Sequence, residues 1–237
     1  MRAVILAGGK GTRLAPYTVA FPKPLMPLGD VPILEVVVRQ LRRQGFRRIT
    51  LAVGHLAELL RAFFGDGSRF GIAIDYAQED EPLGTAGPLR RIADLDEHFL
   101  VMNGDLLTDL DYGAFLARHR EEDNDATVGV YERQVKIDFG VIEHDDDLRI
   151  VGYREKPQLS YEVSMGVYAF SRRIVERIPE GYFDFPDLVQ DLIEGGGRIR
   201  CFPFDGFWLD IGRQDDYAQA IASFEAERTK FLPPDDD

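Results

Sequence analysis

Short apolar segments alternate with amphipathic helical patterns in the amino-terminal half, and this alternation restricts the possible folds more than any other feature. Residues 3–7 form a short apolar run that ends at glycines, which is typical of a buried strand. Leu34, Val37, Val38 and Leu41 then occur at i, i+3, i+4 and i+7, which is one face of a helix. Strand followed by helix, repeated along the chain, is typical of a doubly wound α/β sheet.

The same pattern continues to residue 102. Further strands are predicted at residues 49–53, 71–77 and 99–102, and further helices at residues 56–64 and 85–92. In doubly wound sheets, ligands bind beyond the carboxyl ends of the strands. We therefore expect a binding site at the loops of residues 8–27 and 103–109.

The second half of the chain is richer in strands. From about residue 126, strand-like segments occur at residues 127–130, 139–143, 149–155 and 163–170, and a final helix is predicted at residues 215–228. The predicted fold is therefore a doubly wound, mostly parallel, Rossmann-like α/β sheet with a mixed second half. No repeat or linker divides the chain, so residues 1–230 are predicted to form a single domain. Residues 231–237 end in three aspartates and are predicted to be a disordered acidic tail.

The charge of the chain excludes one class of partner and directs attention to one segment. A formal net charge of −13 disfavours binding to nucleic acids. A small anionic substrate would need cations concentrated in one place. Residues 1–25 provide this concentration, because they contain Arg2, Lys10, Arg13 and Lys23 and no acidic residue.

Cysteine content and hydrophobicity bear on the compartment. Cys201 is the single cysteine, so no internal disulfide can form, and a buried structural thiol is predicted there. No apolar run approaches the roughly 20 residues that a membrane span requires, so no membrane partner is expected. A cytoplasmic location is the default expectation. The oligomeric state stays open, a homo-oligomer included.

The loop after the first predicted strand has the composition of an anion-binding site. Gly8, Gly9 and Gly11 allow positive φ angles and a close approach to a ligand, and successive free amides form an anion cradle. Lys10 and Arg13 add positive charge where phosphates would lie. The glycines alone leave a flexible turn equally open as an interpretation.

Two common nucleotide motifs do not match this loop. The Walker loop fails because Lys10 is followed by glycine instead of serine or threonine. The dinucleotide fingerprint fails because Leu14 stands where its third glycine would be, which argues against an NAD-dependent enzyme. Lys23, however, lies between Pro22 and Pro24, which restrict the backbone and reduce the entropy lost when this cation is ordered.

Two aspartates are candidates for a polar site further along the chain. Asp105 follows the predicted strand at residues 99–102, at the end where a ligand would bind, although a turn or cap aspartate is the commoner case. Asp210 lies in an aromatic and aliphatic run, where burial of an unpaired carboxylate is costly. A metal ion or an arginine would relieve that cost.

Together these segments resemble the sugar-1-phosphate nucleotidylyltransferases, whose opening resembles Gly-Gly-x-Gly-Thr-Arg-Leu-x-Pro-x-Thr followed by Pro-Lys-Pro-Leu-x-Pro. The resemblance covers the chain from Met1 to about Phe224, and this double motif is highly specific. The matching residues of the opening are Gly8, Gly9, Gly11, Thr12, Arg13, Leu14, Pro16, Thr18, Pro22, Lys23, Pro24, Leu25 and Pro27.

The resemblance implies a catalytic domain of the nucleotide-diphospho-sugar transferase type and a role for each motif. Arg13 would stabilise the reacting phosphoryl group, Lys23 would contact the phosphate chain, and Asp105 and Asp210 would bind Mg²⁺. An ion pair between Asp210 and an arginine is the competing interpretation. The residues implied in nucleotide binding are Leu6, Ala7, Gly8, Gly9, Gly11, Thr12, Gln78, Gly84, Thr85 and Asp105.

The resemblance also indicates which base and which sugar are favoured. Residues 81–89 and 206–212 are most similar to mannose-1-phosphate guanylyltransferases, which favours GTP and a mannose-like hexose or heptose 1-phosphate. Ser164 and the two residues after it are more similar to ADP-glucose synthases, so other sugars and uridylyl, thymidylyl, cytidylyl or adenylyl transfer stay open. The residues implied in binding the sugar phosphate are Gly140, Glu155, Lys156, Ser164 and Trp208.

The implied reaction joins a nucleoside triphosphate and a sugar 1-phosphate to give a nucleotide sugar and pyrophosphate. The alternative is a regulatory subunit that binds nucleotide sugars without reacting. Arg13, Lys23, Asp105 and Asp210 are all retained, which favours the enzyme. This interpretation requires the four side chains to face one cleft.

Overall fold

A computed structural model describes residues 1–232 of the chain. The predicted acidic tail lies outside the described residues from residue 233 onward, whereas Phe231, its first residue, is fully buried. The helices are α1 Ile33–Arg43, α2 Ala57–Phe64, α3 Tyr112–Glu121, α4 Phe185–Glu194, α5 Gln214–Ala226 and α6 Arg228–Phe231. The strands are β1 Arg2–Leu6, β2 Pro27–Leu28, β3 Val31–Pro32, β4 Arg48–Val53, β5 Ala73–Gln78, β6 His98–Asn103, β7 Leu106–Thr108, β8 Ala126–Lys136, β9 Val141–His144, β10 Ile150–Arg154, β11 Gln158–Ser171, β12 Ile199–Phe204 and β13 Trp208–Asp210.

The main sheet formed by the described residues has seven strands in the order β12-β8-β11-β6-β1-β4-β5. Strand β1 pairs in parallel with β4 and β6, β4 with β5, and β8 with β12. Strand β11 runs antiparallel to both of its neighbours, β6 and β8. The doubly wound, mostly parallel sheet with a mixed second half is thereby confirmed.

Side chains on successive residues of β1 enter different cores. Ile5 packs in a cluster with α1, α2 and α3, whereas Val4 packs on the opposite face in a cluster with α4. This alternation follows from strand geometry, in which neighbouring side chains point to opposite faces. Because helices cover both faces, the sheet is buried on both sides and its binding surface is left at its edges and strand ends.

A third cluster lies beyond the carboxyl ends of the strands. It packs Leu14, Leu107 and Ile211 against Phe224 of α5 and Phe231 of α6. Full burial of each such side chain is worth roughly 1.5–3 kcal/mol. The cluster therefore attaches the loop after β1 and the segment around β13 to the same support.

Two local predictions were wrong. The helix predicted at residues 85–92 is a short 3₁₀ turn at Gly87–Arg91, because Gly84 is left-handed and Pro88 follows, which shortens the helical segment. Cys201 is exposed instead of buried, because it lies on β12, the edge strand of the main sheet. In the described part of the chain, no helix is long and apolar enough to cross a membrane.

Candidate functional site

The three glycines after β1 have different structural roles. Gly11 alone among them has a positive φ, of 60°, and an added Cβ there would lie 2.9 Å from Cγ2 of Thr18. At Gly8, an added Cβ would lie 2.9 Å from Oε1 of Glu79. At Gly9, an added Cβ would meet no atom within 4 Å. Gly9 is thus the glycine whose open side leaves room for a ligand, whereas Gly11 is required by its left-handed backbone and Gly8 lies against Glu79 and the backbone of Gly54.

Arg13 extends from a 3₁₀ turn, Thr12–Leu14, that follows the glycine loop. Leu14 is fully buried in the cluster beyond the strand ends, whereas Arg13 is exposed. The Thr18 hydroxyl donates a 2.7 Å hydrogen bond to the carbonyl of Gly11, which closes the loop. A Cβ added at Gly212 would lie 3.3 Å from Nη1 of Arg13, so the guanidinium lies beside the segment that follows Asp210.

Lys23 is buried and forms an ion pair with Oδ2 of Asp105. It begins a 3₁₀ turn, Lys23–Leu25, with Pro22 before the turn and Pro24 within it. The ion pair crosses from the loop after β1 to the loop after β6. The carboxyl ends of these neighbouring parallel strands meet at one edge of the sheet, so the two side chains are brought together by topology.

Asp210 lies beside Asp105. Strands β13 and β7 are antiparallel, with Asp210 opposite Leu106, and the amide of Ile211 donates a 3.1 Å hydrogen bond to the carbonyl of Asp105. Burial raises the pKa of Asp210, and the nearby Asp105 carboxylate raises it further, while Lys23 and Arg13 lower it. The charges of Asp105, Lys23 and Arg13 therefore all act on Asp210, so the four side chains lie close together.

The carboxylate pair fits a divalent cation better than an arginine. Within residues 1–232, no ion pair joins Asp210 to an arginine, and Oδ1 of Asp105 is buried without a hydrogen-bond partner. In the same range, no group of three or more His, Cys, Asp and Glu residues could hold a metal by itself. Two aspartates with a bound substrate's oxygens match the preference of Mg²⁺ for few carboxylates plus substrate.

A cavity of about 990 Å³ opens in front of the glycine loop. It is bordered by the loops after β1, β4, β5 and β6, which all leave the sheet at their carboxyl ends. Every residue that the resemblance implies in nucleotide binding lines it, as do Arg13 and Lys23, but Asp210 does not. These lining residues are Leu6, Ala7, Gly8, Gly9, Gly11, Thr12, Gln78, Gly84, Thr85 and Asp105.

Sequence reasoning missed Glu79, which also lines this cavity. Its amide donates a 2.8 Å hydrogen bond to the carbonyl of Val53, and its Oε2 accepts a 3.2 Å bond from the amide of Leu83. Burial raises the pKa of the Glu79 carboxyl group. In the sequence it begins a run of three acids and resembles a solvated charge run. Its position just after β5 is the signal that could have identified it.

Gly84 and Thr85 line the cavity, but packing accounts for both residue types. Gly84 has a φ of 77°, and an added Cβ would lie 2.5 Å from the carbonyl oxygen of Phe183. The hydroxyl of Thr85 donates to Oδ1 of Asp184 at 3.0 Å and accepts from the amide of Phe185 at 2.8 Å. The hydroxyl of Thr85 thus caps the first turn of α4.

The residues predicted to bind the sugar phosphate lie outside the lining of this cavity, in two groups. In the first, the indole N–H of Trp208 donates a 2.9 Å hydrogen bond to the carbonyl of Met165. The hydroxyl of Ser164 lies 2.9 Å from that of Tyr168. Trp208 thus presents its ring, and not its N–H group, to any ligand.

The second group is more exposed and lies around the β9–β10 hairpin. The Tyr153 hydroxyl donates a 2.8 Å hydrogen bond to Oε2 of Glu155 and also fills the space where Gly140 would carry a Cβ. Lys156 has a φ of 43°, and its Nζ lies 4.0 Å from Oε1 of Glu155. Tyr153 therefore connects Gly140 with Glu155, and Lys156 lies beside Glu155.

The comparison with protein families decides the affiliation of the chain. The family model for nucleotidyl transferases matches residues 2–227. The chain belongs to the nucleotidyl transferase family. It is 37% identical to the UTP–glucose-1-phosphate uridylyltransferase of Synechocystis sp., over 93% of this chain and 62% of the relative. It is 34% identical to the catalytic subunit beta of mannose-1-phosphate guanylyltransferase from Danio rerio, over 98% of this chain and 69% of the relative.

This nucleotidyl transferase family member thus spans roughly two thirds of the length of these relatives. Among solved structures, HddC from Yersinia pseudotuberculosis aligns with a TM-score of 0.74 and 29% identity, over 94% of this chain and 99% of the other. The same protein in complex with GMP-PN aligns with a TM-score of 0.73 and 28% identity, over 94% and 99%. The fold is therefore shared over nearly the whole chain.

Proposed function

We propose that the protein transfers a nucleotidyl group from a nucleoside triphosphate to a sugar 1-phosphate and releases pyrophosphate. The observation that carries this proposal is the convergence of Arg13 and Lys23 with Asp105 and Asp210 at the carboxyl edge of the sheet. Cations for a phosphate chain and acids for a divalent cation are the groups that nucleotidyl transfer requires. The named activities of the uridylyl and guanylyl relatives support the same reaction class.

The proposed reaction is a direct in-line displacement at the α-phosphorus. An oxygen of the sugar 1-phosphate forms the new P–O bond, and the bond between the α-phosphorus and the oxygen bridging to the β-phosphorus breaks. Pyrophosphate leaves with that oxygen and its electron pair. Because a phosphate monoester is anionic near neutral pH, the attacking oxygen needs no general base. Catalysis then depends on alignment of the two reactants and on stabilisation of negative charge.

Each charged or glycine residue of the cleft has a separate role in this proposed reaction. The amides of the loop at Gly8 and Gly9 hold the phosphates, and Arg13, which is exposed beside the cleft, stabilises charge on the reacting phosphoryl group. Lys23 contacts the phosphate chain from its buried position next to Asp105. Asp105 and Asp210 are the residues that would hold Mg²⁺, which when bound neutralises the triphosphate and polarises its phosphorus.

We propose GTP as the preferred nucleotide, and Glu79 supports this preference. An ionised carboxylate only accepts hydrogen bonds, and guanine presents two adjacent donors, its N1–H and its 2-amino group. Uracil and thymine present one N–H between two carbonyl oxygens, which a carboxylate would repel. Gln78 and Gly84 line the same cavity as Glu79, and in this proposal they provide the other contacts to the base. The complex of the Yersinia protein with GMP-PN is consistent with this assignment.

The proposed second substrate is a mannose-like hexose or heptose 1-phosphate. Glu155 provides an acceptor for sugar hydroxyl groups, and Lys156 provides a cation for the phosphate. Ser164 and the ring of Trp208 form the other group, and Gly140 leaves room for the Tyr153 hydroxyl that orients Glu155. The uridylyltransferase of Synechocystis favours UTP with glucose 1-phosphate as the second candidate pair.

A substrate matrix tests the proposal. Pyrophosphate release is measured with Mg²⁺ for GTP, UTP, dTTP, CTP and ATP, each combined with mannose, glucose and heptose 1-phosphates. The expected result is the highest kcat/KM for GTP with a mannose-like sugar. Pyrophosphate release at the background rate for every pair, with nucleotide still bound, would instead identify a regulatory subunit.

The Arg13→Ala variant tests the mechanism. Turnover should fall by roughly 10²–10³-fold, the loss expected when one donor to the transition state is removed. Arg47→Ala is the matched control, because Arg47 is also an exposed arginine and lies before β4, at the opposite edge of the sheet. Equal turnover in the two variants would contradict the role of Arg13.

A further inference from the structure

Tyr182 is an exposed aromatic side chain in the lining of the nucleotide cavity. It belongs to the segment that precedes α4, and 65% of it is accessible to solvent. The segment lies on the β5 side of the cavity, beside the loop of Gly84 and Thr85. A large ring left in water at the mouth of a cavity is suited to contact a flat, apolar ligand surface.

The ring is held in place by a hydrogen bond at its far end. The Tyr182 hydroxyl donates to Oδ2 of Asp184 at 2.5 Å. The other oxygen of Asp184 accepts from the amide of Thr85 at 2.8 Å and from its hydroxyl at 3.0 Å. One carboxylate therefore connects the exposed tyrosine to the loop that borders the cavity.

Backbone hydrogen bonds attach the whole segment to the same loop. The amide of Phe183 donates to the carbonyl of Leu83 at 2.9 Å, and the Phe183 carbonyl accepts from the amides of Ala86 at 2.9 Å and Gly87 at 3.1 Å. Both the amide and the carbonyl of Phe183, the residue after Tyr182, are therefore hydrogen-bonded to this loop. The backbone next to Tyr182 is thus fixed by hydrogen bonds, although the ring of Tyr182 is exposed.

We propose that Tyr182 is a nucleotide-positioning residue whose ring packs against the base of the bound nucleoside triphosphate. The proposal rests on the proposed function for the class of ligand. Glu79 and Gln78 line the same cavity and would present polar groups to the edge of the base, whereas a phenol ring presents an apolar face. Every nucleobase has such a face, so this contact contributes affinity for all bases and does not select among them.

The consequence is a loss of nucleotide affinity that is independent of the base. Removal of a base-stacking aromatic ring weakens binding by roughly 5- to 150-fold. The Tyr182→Ala variant should therefore bind GTP and UTP more weakly by the same factor. The KM for the nucleotide should rise, and the KM for the sugar phosphate should not change.

Calorimetric titration with nucleotide and Mg²⁺, without sugar phosphate, is the test, performed on wild type, Tyr182→Ala, Tyr182→Phe and Tyr161→Ala. Tyr161 is a matched control, because it is a similarly exposed tyrosine on β11 and does not line the cavity. Tyr182→Phe retains the ring without its bond to Asp184, so its loss should be smaller than that of Tyr182→Ala. Thermal unfolding of each variant confirms that the fold is intact.

The possible outcomes separate this inference from the proposed function. If the wild type binds nucleotide and Tyr182→Ala binds it equally well, the role of Tyr182 is refuted while the nucleotidyl transferase proposal stands. If the wild type binds no nucleotide, the proposed function and the role of Tyr182 are both refuted. If Tyr182→Phe loses as much affinity as Tyr182→Ala, the hydrogen bond and not the ring is responsible, and stacking is refuted.

Discussion

Alanine at Gly84 should destabilise the fold, while alanine at Gly9 should leave it intact and weaken nucleotide binding. At Gly84 the backbone is left-handed, with φ at 77°, and the new Cβ would lie 2.5 Å from the carbonyl oxygen of Phe183. That oxygen accepts two backbone hydrogen bonds and cannot move away without breaking them. Left-handed backbone costs about 1 kcal/mol for alanine and overpacking adds roughly 1–3 kcal/mol, so a loss of about 2–4 kcal/mol is expected.

Gly9 is the matched control within the same cavity. Its φ is not positive, and an added Cβ would meet no atom within 4 Å, so the free energy of unfolding should change by less than about 0.5 kcal/mol. The methyl group nevertheless projects into space that we assign to the phosphates, so GTP affinity should fall. Urea unfolding followed by Trp208 fluorescence measures the first quantity, and calorimetry measures the second. A Gly84→Ala protein as stable as wild type, or a Gly9→Ala protein with unchanged GTP affinity, would refute this reasoning.

Two further predictions concern Glu79 and His119. Glu79→Gln should lower kcat/KM for GTP by roughly 10- to 100-fold and raise it for UTP, because an amide both donates and accepts; an unchanged GTP/UTP ratio in the pyrophosphate assay would contradict this. Burial lowers the pKa of His119 to about 4. The neutral imidazole therefore contributes fully to the free energy of unfolding above pH 6.5, and about 3 kcal/mol of this free energy is lost as the pH falls towards 4. Urea unfolding between pH 7.5 and pH 4.5 should show a smaller loss for His119→Gln than for wild type, and equal losses would be inconsistent with that assignment.

The sequence was sufficient to predict the parallel sheet and the edge at which the site lies. Short apolar runs identified β1, β4 and β6, because a strand buried on both faces leaves a continuous apolar signature. The order of these strands then brings the loops after β1 and β6 together. The sequence could therefore predict that Lys23 and Asp105 lie at the same edge of the sheet, but it could not predict that they form an ion pair.

Contacts between distant segments account for what the sequence did not reveal. Gly84 was predicted only as a nucleotide-binding residue, but a glycine is required there because a side chain would meet the backbone of Phe183, which is distant in sequence. Glu79 was missed because an acid followed by other acids resembles a solvated surface, and its burial depends on Gly8 and Leu83. The roles assigned to individual site residues stay predictions until variants are measured.

The arrangement of the cleft also explains how charged groups are held in place before a ligand binds. Each of the four charged side chains is next to a buried hydrophobic residue or within two positions of one, and these neighbours anchor the backbone at that point. Because the anchors are buried, the backbone that carries each charged group keeps its position without the phosphates, and little reorganisation of that backbone is needed when the ligand arrives. Loosening an anchor should therefore reduce turnover more than nucleotide affinity, since alignment matters most in the transition state. The anchors are Leu14 for Arg13, Leu25 for Lys23, Leu106 for Asp105 and Ile211 for Asp210.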